Sequence, residues 1–262
     1  MTPTLPSPKT ALVTGAAKRI GRAIALDLAA HGWSVAVHYR SDPAEAGAVV
    51  AEIESKGGRA VALRADLSDE VETAALVEQA TAALGPLGAL VNNASVFEYD
   101  SWDSASRESW DLHLNANLRA PFVLTQAFAR QVAEDARGCV VNIIDERVWN
   151  LTPHFVTYTL SKAGLWTLTQ TLALALAPRI RVNGIGPGPT LPSPRQSHEQ
   201  FAEQCASMPL QHGTSPQEVA DAVRFILAAP AMTGQMIALD GGQHLAWTQA
   251  PRHGQGPQFL AE

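Results

Sequence analysis

The amino-acid sequence predicts a doubly wound α/β fold in one domain, with a mostly parallel, seven-stranded sheet covered by helices on both faces. Three observations lead there. Seven short runs rich in β-branched and apolar residues alternate with longer stretches of helical periodicity. A glycine-bearing turn joins the first strand to the first helix. No Ser/Gly-rich linker or abrupt change of composition divides the 262 residues, which are enough for one large core.

In chain order, strands are expected at Ala11–Thr14, Ser34–His38, Ala60–Arg64, Ala89–Asn92, Cys139–Ile143, Arg181–Ile185 and Met236–Leu239. Helical patterns run through Arg19–His31, Pro43–Lys56, Asp69–Leu84, Arg107–Glu134, Phe155–Ala177 and Pro216–Ala229. Gly32, Gly57-Gly58 and Gly85-Pro86 stand where helices should stop. Between Pro187 and Pro209 five prolines break the rhythm, so residues 187–212 are expected to form a substrate lid. The catalytic domain is expected to span 10–248, between a flexible segment 1–9 and a polar tail, 249–262, that is flexible or bound by a partner subunit.

Composition excludes several classes of function. The formal net charge is −6 with Lys and Arg scattered, which argues against nucleic acid as a partner. Cys139 and Cys205 fit no metal or redox spacing, so no metal is expected and both thiols read as reduced. The most apolar stretch, Ala163–Ala177, is too short to cross a bilayer, and the Pro/Thr-rich start does not resemble a signal peptide. A cytoplasmic location and no membrane partner are the corresponding expectations.

The first strand runs into Thr14-Gly15-Ala16-Ala17-Lys18-Arg19-Ile20-Gly21 and then a helix, the Rossmann-type place for a dinucleotide pyrophosphate. Only two of the usual three glycines are present, so an ordinary strand–helix turn is the competing reading. The second strand ends His38-Tyr39-Arg40-Ser41, without the acid that would hold a ribose 2′-hydroxyl. A guanidinium and a hydroxyl suit a 2′-phosphate instead, so Arg40 and Ser41, with Lys18, point to NADPH; a solvated loop residue is the competing reading for Arg40. The candidate cofactor set is Gly15, Lys18, Arg19, Ile20 and Gly21 in the first turn, then His38, Tyr39, Arg40 and Ser41. Asp66 and Leu67 at the third strand, for the adenine amino group, and Asn93, Ala94 and Ser95 at the fourth complete it.

Tyr158 and Lys162 stand four residues apart on a predicted helix and share a face. A lysine ammonium one turn away would lower the tyrosine pKa and fit it for proton transfer. A surface pair is the competing reading.

Taken together, Thr14–Gly21, Asp66, Asn92-Asn93-Ala94, Asn117, Tyr158-Thr159-Leu160-Ser161-Lys162, Pro187-Gly188 and Asp240-Gly241-Gly242 resemble the short-chain dehydrogenase/reductase family, from Thr10 to about Leu245. The resemblance implies that Tyr158 is the acid, that Lys162 binds the nicotinamide ribose and that Asn117 orders a relay water. It also implies that Pro187-Gly188 flank the nicotinamide, and that the assembly is a homotetramer. Two positions depart from the common pattern: Arg19 replaces the middle glycine, and Asp145, thirteen residues before Tyr158, replaces a serine that donates to a ketone oxygen. An ionised aspartate only accepts. Either Asp145 is held protonated or the substrate presents N–H groups to it, and both suit reduction of a C=N bond in a heterocycle.

The same departures resemble the pteridine and dihydromonapterin reductases. That likeness implies a dihydropterin substrate, with Phe97 stacking on its ring and Ser95 and Arg19 binding polar ring edges or cofactor phosphates. A lid-packing role is the alternative for Phe97. Other readings of the whole are a reductase of a different carbonyl or imine, and a non-catalytic nucleotide-binding regulator.

Overall fold

The computed structural model describes residues 6–193 and 196–246; the tail expected at 249–262 and the lid residues Pro194 and Arg195 lie outside the described residues. Seven strands form one sheet: β1 (Thr10–Val13), β2 (Ser34–Tyr39), β3 (Ala60–Arg64), β4 (Ala89–Asn92), β5 (Gly138–Ile143), β6 (Ile180–Pro187) and β7 (Met236–Leu239). The spatial order is β3-β2-β1-β4-β5-β6-β7, and all six pairings are parallel. Chain order reverses direction between β1 and β4, so the loops leaving these strands diverge and open a crevice at the carboxyl edge.

Successive strand residues face opposite layers. Ala11 and Val13 of β1 enter a core with Ile24, Leu28, Val49 and Val223, beneath helices α1 (Arg19–Ala30), α2 (Pro43–Ser55) and α8 (Pro216–Ala228). Leu12 enters the other core with Leu76, Leu90, Leu124, Phe128 and Val182, beneath α3 (Glu70–Leu84), α5 (Ala120–Gln131) and α6 (Val156–Leu176). Burying each such Leu, Ile or Phe contributes about 1.5–3 kcal/mol. Two-sided burial is why the strands read as continuous apolar runs.

Local chemistry sets the helix starts. Asp42 accepts from the Ala44 and Glu45 amides ahead of Pro43, and Asp69 does the same for Val71 and Glu72. Ser215 and Glu218 form a capping box on α8.

Two expectations are corrected. The single helix expected over Arg107–Glu134 is α4 (Arg107–Leu114), one wide π-helical turn (Asn115–Arg119) and α5, which ends at Gln131. Tertiary hydrogen bonds to Asn117, given below, stabilise the extra residue in that turn. The expected lid is not wholly irregular: it contains α7 (His198–Ala206), capped reciprocally by Ser197 and Gln200. Among the described residues, no helix is long and apolar enough to cross a membrane.

Candidate active site

The carboxyl ends of β1 and β4 are clasped by side chains. The Thr14 hydroxyl accepts from the Asn93 and Ala94 amides at 2.9 and 3.0 Å, and Asn93 Nδ2 donates to the Thr14 and Gly15 carbonyls at 2.8 and 3.3 Å. Gly15 sits at φ +61°, and a Cβ on Gly21 would lie 2.2 Å from the Gly15 oxygen and 2.5 Å from Asn93 Nδ2. Both predicted glycines are therefore required by backbone contact, which fits a loop shaped to approach a phosphate. Ile20 anchors the start of α1 against the core.

The remaining cofactor candidates fall along the same edge. Lys18 caps α1 and lies 3.9 Å from Glu45, with most of its side chain exposed. Arg40 and Ser41 are exposed at the end of β2, beyond Tyr39, which packs on the core. Asp66 accepts from the Ser68 hydroxyl and amide at 2.6 and 2.9 Å. Those bonds, with smaller help from the Arg40 and Arg64 charges, hold its carboxyl below the usual range; Leu67 beside it is buried. An acid-free β2 end with an exposed arginine and serine, beside a phosphate-shaped turn, fits a 2′-phosphorylated dinucleotide. At the far end, a Cβ on Gly188 would come within 2.8 Å of Asp240, so Pro187-Gly188 is pressed against the loop after β7.

Two candidates bind differently from the sequence expectation. Arg19, at φ +53°, forks onto the Pro192 and Leu191 carbonyls at 3.1 and 3.3 Å rather than standing free for a ring or phosphate. His38 is buried, with both ring nitrogens engaged inside the protein, so its side chain is not an open ligand.

The candidate reacting groups gather at the ends of β4 and β5 and on the first turns of α6. Tyr158, 5% exposed, donates its hydroxyl proton to Asp145 Oδ2 at 2.7 Å, and the other Asp145 oxygen accepts from the Arg147 amide at 2.9 Å. Burial first, and then the Asp145 carboxylate, push the Tyr158 pKa well above that of a free phenol, with Arg147 pulling the other way. Lys162 Nζ donates to the Ile143 carbonyl at 2.9 Å and lies 5.7 Å from the tyrosine ring centre. Burial brings its pKa down to about 8 despite Asp145. In this structure the net shift of the phenol is upward, because burial and Asp145 dominate it.

Asn117 closes the site from the π turn. Its Oδ1 accepts from the Val96 amide at 2.8 Å and Ser95 Oγ at 3.3 Å, while Nδ2 donates to the Val96 carbonyl at 2.9 Å and Ser161 Oγ at 3.1 Å. The amide is saturated, so a relay water here would have to use the main chain. Asn117 instead fixes the Ser95–Val96 segment that precedes Phe97. The Phe97 ring stacks on Phe155 with centres 4.3 Å apart and meets Tyr158 edge-on at 4.7 Å.

Sequence reasoning missed three neighbours. Phe155 backs Phe97, the Arg147 guanidinium lies 5.1 Å from the Phe155 ring centre, and Glu146 is only 4% exposed. No local pattern marks Phe155; for Arg147 and Glu146 the charged triplet Asp145-Glu146-Arg147, directly after an apolar strand, was the available signal. Among the described residues, no cluster of His, Cys, Asp or Glu is placed to hold a metal.

The family model described as Enoyl-(Acyl carrier protein) reductase matches residues 15–244. The chain belongs to the short-chain dehydrogenase/reductase family. Within that family it is 33% identical over 242 residues to the 3-oxoacyl-[acyl-carrier-protein] reductase FabG of Staphylococcus aureus, covering 90% of this chain and 98% of that one. An uncharacterised oxidoreductase of Methylorubrum extorquens is 36% identical over 242 residues, covering 89% and 97%. A crystal structure of FolM Alternative dihydrofolate reductase 1 from Brucella suis in complex with NADP superposes with a TM-score of 0.89, at 48% identity over 95% of this chain and 98% of that one. The Brucella canis protein of the same description, also with NADP, gives 0.89 and 46%, covering 94% and 98%.

Burial and the adjacent Asp145 charge raise the Glu146 pKa to about 8, and its Oε2 has no hydrogen-bond partner among the described residues. A carboxyl whose pKa rises on folding stabilises the protein at low pH and loses that contribution as pH climbs from its unfolded value towards about 8. E146Q, which cannot ionise, is expected to gain on the order of 2 kcal/mol at alkaline pH, roughly 5 °C in Tm, and little at pH near 4. Thermal melts of both proteins across that pH range check this; a gain independent of pH would contradict it.

Proposed function

We propose that this chain is an NADPH-dependent reductase of a C=N bond in a dihydropterin-like heterocycle, yielding the tetrahydro form. The observation that carries the reading is the Tyr158–Asp145 hydrogen bond beside the Phe97 ring. An acceptor-only carboxylate next to the proton donor suits a substrate that presents amino and ring N–H groups, and a flat heterocycle suits an aromatic wall. The likeness to FolM proteins solved with NADP, at 46–48% identity, supports the same substrate class and cofactor.

The chemistry supplied by bound NADPH is a hydride for the substrate carbon. The chain's own groups do the rest. Tyr158, held protonated by burial, gives its hydroxyl proton to the ring nitrogen, which becomes basic as electrons arrive. Asp145 orients that hydroxyl and accepts from the substrate. Lys162, anchored on Ile143 O, offers its remaining ammonium protons to a ribose and its charge to the nascent phenolate. Arg40 and Ser41 take the 2′-phosphate, Gly15 to Gly21 the pyrophosphate, and Asp66 the adenine.

NADPH oxidation measured in parallel with dihydrobiopterin, dihydromonapterin, dihydrofolate and a 3-oxoacyl thioester tests the substrate. Turnover of one or more pterins is expected. Turnover of the thioester alone would favour the carbonyl reading that the FabG likeness raises, and NADPH binding without turnover of any would favour a regulator.

Three substitutions probe the roles. Y158F should lower kcat roughly 10²- to 10⁴-fold with NADPH affinity retained, as steady-state kinetics and binding titration report; wild-type turnover would remove Tyr158 from the mechanism. D145S should impair pterin reduction far more than NADPH binding, and unchanged pterin kinetics would detach Asp145 from the substrate. R40A should weaken NADPH roughly 10- to 100-fold, the worth of charge-assisted hydrogen bonds, while NADH is little affected. Equal losses for the two nucleotides would refute the phosphate contact.

A further inference from the structure

The segments assigned above to the dinucleotide converge on a buried side chain that cannot itself touch it. His38, on β2, is 2% exposed. On one side the Gly15 amide donates to His38 Nδ1 at 3.0 Å, and the next amide, Ala16, donates to the His38 main-chain oxygen at 2.9 Å. On the other side His38 Nε2 lies 3.0 Å from the Ala65 carbonyl. These contacts determine the tautomer. A nitrogen that accepts an amide hydrogen carries no proton, so Nδ1 is bare, Nε2 bears the hydrogen, and the second bond runs from Nε2–H to Ala65 O.

The two bonds join the ends of the cofactor edge. Gly15 is the left-handed residue on which the phosphate turn pivots, and Ala65 directly precedes Asp66, whose amide and carboxylate are themselves fixed by Glu72 and Ser68. The imidazole spans β2 between them. A Val here would fill part of the space but supply neither an acceptor towards Gly15 nor a donor towards Ala65.

We propose that His38 is a positioning residue of the cofactor site: as the Nε2–H tautomer it ties the Gly15 turn to the Ala65–Asp66 corner, and dinucleotide affinity depends on both bonds. The ring sits behind the phosphate turn, and it sets the spacing between the groups that meet the pyrophosphate and the adenine. Burial reinforces this by lowering the imidazole pKa against the opposing pull of Ala65 O and Asp66. The proposal rests on the dinucleotide part of the functional reading and is independent of the pterin.

The test uses the full chain and NADPH. H38N keeps an oxygen as many bonds from the backbone as Nδ1, and H38Q keeps an amide N–H where Nε2–H stood; H38F keeps neither. H38F should raise Kd and KM for NADPH about tenfold or more, from two hydrogen bonds of about 0.5–1.5 kcal/mol each, with kcat at saturating NADPH unchanged. H38N and H38Q should each recover part of the loss. If H38F does not fold, the two amide variants still carry the comparison. Independently, ¹⁵N spectra of the wild type should show a His38 Nδ1 without a proton and a protonated Nε2. Affinity equal to wild type in H38N and H38Q, a fall in kcat in place of the rise in KM, or the opposite tautomer would each overturn the proposal. A wild-type chain that binds no NADPH would overturn it together with the cofactor reading, whereas failure of pterin turnover alone would leave it standing.

Discussion

At the point where strand order reverses, β1 and β4 lie side by side, and their continuations must part to leave room for a ligand. Backbone groups released there from the sheet ladder still need partners. The Thr14 hydroxyl and the Asn93 amide provide them, each bonding across to the other strand's loop. That clasp holds Gly15 against Ala94 closely enough that the turn accepts only a left-handed residue without a side chain. Everything downstream in the site inherits its position from this junction: Gly21 packs on Gly15, Ser95 and Val96 follow Asn93, and Asn117 grips Val96.

A second constraint is electrostatic. Tyr158 and Lys162 share a helix face, and burial acts on both in opposite directions because it disfavours whichever form is charged. The phenol is held neutral and the ammonium is brought down to about 8. The Asp145 carboxylate adds to the first effect and resists the second. In the proposed mechanism the resting site stores its proton on tyrosine, aimed at Asp145, and the lysine charge gains most of its influence when a phenolate forms. An ion pair already made in the resting state would give no such difference between ground and transition states.

Much of this was legible in the sequence, and the exceptions share a cause. Strand positions follow from apolar runs that two-sided burial imposes, so they agree with the structure to within a few residues at each end. Gly15, Gly21, Tyr158 and Lys162 were readable because backbone approach and helical spacing leave marks in one dimension. The π turn was not, because Asn115–Arg119 has ordinary helical composition and the extra residue is stabilised by Val96 and Ser161, which are remote in sequence. The role of His38 was hidden for the same reason, since its partners lie 23 and 27 residues away. Helix α7 is a different case: Ser197 and Gln200 spell a capping box that the surrounding prolines obscured.

Arg19 shows how a departure from a family pattern can be weighed. Holding a non-glycine residue in the left-handed region costs about 1–2 kcal/mol. Its two bonds to Leu191 and Pro192 carbonyls are solvent-exposed, and such bonds contribute about 0.5–1.5 kcal/mol each. Gain and strain nearly cancel, and a glycine would make the turn without strain, so stability alone does not favour arginine. What arginine adds is a forked donor joining the phosphate turn to the lid, so that whatever orders one side biases the other. Because the fork is made to neutral carbonyls, an anionic oxygen brought near the turn is the stronger partner for the same guanidinium. The contact to the Leu191 and Pro192 carbonyls and the phosphate contact expected from the sequence would then compete for one guanidinium.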